Sequence, residues 1–73
     1  MDVEKRLNIT GCKGIKYVIE LMKFSQGYEI QFSESGGDTI LETDGIYSRK
    51  RDALPAFNAF YRQKSKEITE GKW

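Results

Sequence analysis

The 73-residue sequence has no histidine, a single cysteine, a single proline and no apolar run of membrane-spanning length. Without histidine, the side chain that most often serves as a general base or metal ligand near neutral pH is missing. One thiol, Cys12, closes no disulfide within the chain and founds no Cys/His metal site. No catalytic residue, metal ligand or cofactor-binding pattern is therefore expected. The opening stretch Met1-Asp2-Val3-Glu4-Lys5-Arg6 carries two carboxylates and leads into no signal-like apolar segment, so the expected location is the cytoplasm, where a lone thiol stays reduced, with no part in a membrane.

The chain is short enough to hold a single domain over residues 1–73, with no linker-like composition to divide it. A core of this size supplies only roughly 3 to 5 kcal/mol. With disulfides and Cys/His metals excluded, association with another chain is the expected stabiliser. The formal net charge is +1. It divides unevenly, because residues 1–44 hold five basic and eight acidic side chains (5 − 8 = −3) and residues 45–73 hold seven and three (7 − 3 = +4). Neither a strong polyanion binder nor a polyanion mimic is indicated for the whole chain.

What is present is a pattern of short strands followed by a helix. From Ile15 to Phe24, Ile15, Tyr17, Ile19 and Leu21 alternate on one face. The other face mixes Val18, Met22 and Phe24 with Lys16 and Glu20, so cover is expected on both sides, with Val18, Met22 and Phe24 meeting a second copy of the chain. Ser25-Gln26-Gly27 forms a loop, and Tyr28 to Ser33 alternates strictly, with Tyr28, Ile30 and Phe32 inward. Glu34-Ser35-Gly36-Gly37-Asp38 turns the chain into a third strand, Thr39 to Thr43, and Asp44-Gly45 is read as the next turn. Leu54, Phe57, Phe60, Tyr61 and Ile68 then recur at helical spacing, leaving Arg62, Lys64, Lys66 and Glu67 for solvent. Two helix starts are open: Asp52 as N-cap puts Pro55 in the first turn where its missing N–H does no harm, whereas Ser48 as N-cap puts Pro55 deeper and kinks the helix. The regular helix from about Asp52 is favoured. Residues 1–13, anchored only by Val3, Leu7 and Ile9, form a short helix, an added strand or a mobile or accessory arm. The expected fold class is thus α+β: a three-stranded antiparallel meander packed by one C-terminal helix, β-β-β-α, as a dimer.

The order of three strands, then Thr43-Asp44-Gly45-Ile46-Tyr47-Ser48 and an alanine-punctuated helix, resembles one repeat of the YegP-like family of small β-β-β-α domains over Ile15 to Arg62. The chain differs in placing Ile46 between Gly45 and Tyr47, in its three basic residues and in Pro55. The resemblance implies a fold in which two such units combine, here as a homodimer. It lends no biochemical activity and no catalytic residue.

Three local features invite a functional reading. Ser48-Arg49-Lys50-Arg51 sets three cations where a helix begins, suited to a phosphate or nucleic-acid backbone; the plainer reading is a solvated loop or pairing with the acidic strands, and the small net charge favours it. Glu29, Glu34, Asp38, Glu42 and Asp44 make the Tyr28 to Asp44 hairpin acidic, as a hydrated outer sheet face that discourages edge pairing or as a dock for a basic partner. Cys12, between Gly11 and Lys13, has no histidine to activate it and reads as an incidental thiol. Tyr17, Tyr28, Phe32 and Phe57 sit in core register rather than as a base-stacking platform. Trp73 either folds back on the helix end or frays. The expected function is that of a non-enzymatic interaction module, a homodimeric regulator or inhibitor that binds another macromolecule. The alternative is a weak nucleic-acid binder using Ser48 to Arg51 and the basic helix face.

Overall fold

The computed structural model describes residues 2–73. They form an α+β fold with β1 at Asp2–Thr10, β2 at Lys16–Phe24, β3 at Gly27–Glu34, β4 at Ile40–Tyr47 and α1 at Lys50–Thr69. The four strands make one antiparallel sheet in the order β1-β2-β3-β4. The expected meander of three strands is thus corrected to four. The additional strand comes from the segment whose character three apolar anchors left open: Leu7 pairs with Ile19 and Ile9 with Tyr17, which aligns sparse apolar positions with a dense neighbour. Cross-strand burial, rather than local propensity, makes β1 a strand.

One face of the sheet packs on α1. Tyr17, Ile19 and Leu21 of β2, Ile30 and Phe32 of β3, and Ala53, Phe57, Phe60 and Ile68 of α1 are the buried core, with Leu7, Ile9, Tyr28, Tyr47, Leu54, Tyr61 and Trp73 around it. Alternation on the strands and three-to-four-residue spacing on the helix bring these positions together. Lys5 lies on the same face, its stem along the core edge and its ammonium 5.2 Å from the Phe57 ring centroid.

Asp44-Gly45 does not turn the chain. β4 runs through it with a register shift between Glu29 and Ile30, and Gly45 takes φ +46 as the extra residue of a bulge. The bulge sets Asp44 opposite Ile30 and Ile46 opposite Glu29, so they point to opposite faces. A second glycine is fixed by crowding: Gly27, at φ +143, sits where a Cβ would collide with the Tyr47 carbonyl. The β2–β3 hairpin therefore presses directly on the end of β4.

Nor does the helix begin after Asp52. Its N-cap is Arg49, in extended conformation and without a side-chain cap. The Arg49 carbonyl accepts from the N–H groups of Asp52 and Ala53, each at 3.1 Å. Pro55 accordingly lies inside the helix and deprives the Arg51 carbonyl of its usual donor. Both residues are exposed, so water can satisfy that carbonyl. The Asp52 carboxylate in the first turn complements the helix dipole in place of the absent cap.

Candidate functional site

Beyond the core, the structure offers three places where chemistry gathers. The first is the basic triplet at the start of α1. Lys50 reaches the Glu4 carboxylate at 3.4 Å, and Arg49 reaches Asp52 at 3.6 Å. The pairing comes from β1 and from the helix itself, not from the acidic hairpin. Ser48, Arg49, Lys50 and Arg51 are all exposed, and Arg51 alone of the three cations makes no ion pair among the described residues. With two cations facing carboxylates, the segment offers an incoming phosphate little unbalanced positive charge.

The second place is the sheet face away from α1. Here the register sets Arg6, Glu20, Gln31 and Thr43 in one row, Asn8, Val18, Ser33 and Ile40 in another, and Val3, Met22, Glu29 and Ile46 in a third. Val18, Met22 and Phe24 share this face, as their alternation requires. Val18 and Met22 are each only 8% exposed within a single chain, while Val3 is 42% and Ile46 69% exposed. Phe24, Gln26, Gly27, Glu29 and Ile46 line a shallow cavity of about 410 Å³ at the end of this face. Its charges balance: Arg6 and Lys16 against Glu20 and Glu29 give 2 − 2 = 0. Arg6 donates to Glu20 through Nε at 2.9 Å and through its terminal nitrogen at 2.6 Å. Gln31 donates to Glu29 at 2.7 Å. Both edges of the sheet are interrupted by register shifts, at Val3/Lys5 of β1 and twice along the β3–β4 pairing, so neither edge presents a flat template for another strand.

The third place is a buried cation. Lys64, expected in solvent, has a side chain only 1% exposed. Its ammonium pairs with Glu42 of β4 at 2.5 Å and Glu67 of α1 at 3.1 Å. It also lies 5.2 to 5.3 Å from the ring centroids of Phe32, Phe60 and Trp73. A lysine reads as a surface residue on a helical wheel, but here opposite charges and aromatic faces compensate its removal from water. Glu42, also assigned to the outer acidic face by its hairpin, is turned inward beside it, since its partner Phe32 faces the core. Hydrogen bonds from Trp73 Nε1 and then Lys64 hold the Glu67 carboxyl well down, from its ordinary 4.5 to about 2. Asp44, inward like Glu42, accepts from the Tyr47 hydroxyl at 3.2 Å. Burial, then the Asp44 charge, raises that phenol above its ordinary value.

Cys12 is exposed at the β1–β2 turn, and its thiol donates to the Ile68 carbonyl at the end of α1. No group of three or more metal-ligating side chains gathers among the described residues, and no helix is long and apolar enough to cross a membrane. Comparisons with protein-family models, with curated proteins and with solved structures found no match.

Proposed function

We propose that the chain is a non-enzymatic interaction module that associates with a second copy of itself through the outer sheet face, and that the resulting dimer acts as a cytoplasmic regulator or inhibitor by binding another macromolecule. The observation that carries this reading is the position of Val3 and Ile46: both lie in one row with Met22, on a face that no layer of the chain covers, beside half-buried Phe24. A second copy suits that face better than a charged partner does, because its charges sum to zero and Arg6 is already paired with Glu20. The Cα trace spans 36 × 23 × 15 Å, so its largest face projects to about 830 Å², the same order as the roughly 800 Å² per partner of a standard stable interface. The YegP-like resemblance, in which two β-β-β-α units combine, supports the same assembly. Within it Val18 and Met22 serve as a nearly closed floor, and Val3, Phe24 and Ile46 make the contact.

Sedimentation at micromolar concentration tests the association. The chain is expected to sediment as a dimer, Ile46→Lys as a monomer, and Ala59→Lys, on the exposed helix surface, as the unchanged dimer. A monomeric wild-type chain refutes the interface. A pull-down with and without nuclease separates a protein partner from the nucleic-acid alternative: capture that depends on nucleic acid would reverse the assignment of partner class.

A further inference from the structure

Trp73 occupies a slot whose walls also contact one another. Tyr17 and Phe32 stack at 5.3 Å between centroids, 22° from parallel, and Lys64 is fixed between Glu42 and Glu67. The indole meets Phe32 edge-on at 4.9 Å and Tyr17 at 6.0 Å, and its Nε1–H donates to Glu67 at 2.9 Å. Lys64 sits 5.3 Å from the same ring. The Trp73 carbonyl lies over Gly11, where a Cβ would stand 3.1 Å away. Its tether is weak by comparison. After the C-cap Glu70, Gly71 takes φ +84, the Lys72 N–H bonds back to Glu67, and no backbone hydrogen bond among the described residues holds Trp73 itself.

We infer that this slot is a binding site for a small indole-class aromatic with a ring N–H donor, and that Trp73 is its tethered resident, displaced when such a ligand is present. Three features define that chemistry. The edge-to-face walls of Phe32 and Tyr17 select a flat aromatic ring. The ammonium against the ring face favours an electron-rich one such as indole. The Glu67 carboxylate, an acceptor only, requires a donor on the ring. The slot holds one side chain and is bounded by the β1–β2 turn and the end of α1, which suits a free small molecule. Resident and ligand make the same contacts, so ligand binding must also overcome the local concentration of the tethered ring. Opening needs only the segment after α1 to leave, while sheet and helix stay packed.

Trp73→Gly empties the slot, and indole is the probe. The variant is expected to fold with a lowered Tm that indole raises saturably. 1-Methylindole, which lacks the donor, should bind at least about tenfold more weakly, since a hydrogen bond to a carboxylate contributes about 1.5 kcal/mol or more and 1.4 kcal/mol is tenfold. NMR shifts on binding should centre on Phe32, Lys64 and Glu67. In the unsubstituted chain, the Trp73 indole N–H should exchange with solvent much faster than the Ile30 and Phe32 amides. Failure of indole to bind, or equal binding of 1-methylindole, would overturn the inference. So would a Trp73→Gly chain that does not fold, or an indole N–H that exchanges only with global unfolding, because Trp73 would then be core rather than occupant.

Discussion

Acid should unlock the cluster around Lys64 before it dissolves the rest of the fold. The Glu67 carboxyl titrates near 4.5 when free and near 2 in the folded chain, a difference of 4.5 − 2 = 2.5 in pH. At about 1.4 kcal/mol per pH unit this is at most about 3 to 4 kcal/mol of stability. Because the folded value is depressed, that contribution is complete above about pH 5 and is lost as pH falls toward 2. A side chain 18% exposed retains some solvent screening, so about 2 kcal/mol is the expected effect. For a chain of this length, with stability on the order of 5 kcal/mol, such a loss is large. Protonation also leaves Lys64 with Glu42 alone, whose side chain is 40% exposed. The assay is urea denaturation at intervals from pH 7 to pH 2 for the wild-type chain and Glu67→Gln, followed by circular dichroism and Trp73 fluorescence. Glu67→Gln keeps an acceptor for the indole N–H but removes the charge. It should be less stable by about 2 kcal/mol at pH 7 and converge with wild type near pH 2. Two curves that stay parallel across that range would refute the reasoning.

Other substitutions test the remaining features. Gly27→Ala should destabilise by more than about 2 kcal/mol, since the new Cβ meets the Tyr47 carbonyl in a positive-φ conformation, whereas Gly45→Ala, with only ordinary contacts, should lose about 1 kcal/mol in the same denaturant titration. Neutralising Arg49, Lys50 and Arg51 together to Gln should change stability by less than about 1 kcal/mol, because the lost pairs with Asp52 and Glu4 are exposed and relief of the helix dipole offsets them. The same variant should show no altered affinity for DNA or RNA; salt-sensitive micromolar binding that vanishes in it would restore the nucleic-acid reading.

The strands β2 and β3 and the helix were legible because their apolar residues repeat at the period of the element that contains them. Tyr28, Ile30 and Phe32 alternate without interruption, and Phe57, Phe60 and Ile68 fall on one helical stripe. β1 was not, because Leu7 and Ile9 are too few to set a period and become a strand only against Ile19 and Tyr17. Asp44-Gly45 has the composition of a turn, and only pairing with β3 distinguishes a bulge from one. The helix start was displaced because Asp52 has the chemistry of an N-cap, yet its N–H already belongs to the first helical turn. Lys64 was the largest misreading. A lysine's place on a helical wheel says nothing of the carboxylates a neighbouring strand will bring, and Glu42 lies 22 positions earlier. The slot around Trp73 was open to inference only as a fold-back, since its walls come from β2, β3 and α1.

The order β1-β2-β3-β4 also bears on how quickly the chain finds its fold. Every strand pairs with the one before it in sequence, so each closure joins the ends of a short loop, and no pairing waits for a distant segment to diffuse in. Hairpins of this kind form in about 1 to 10 μs. The slower event is the docking of α1, which must align Phe57, Phe60 and Ile68 with a sheet already assembled and draw Lys64 out of water at the same time. Refolding should therefore follow a single exponential on the millisecond scale or faster, and neutral pH, by ionising Glu67, should act mainly on the rate at which the finished core comes apart.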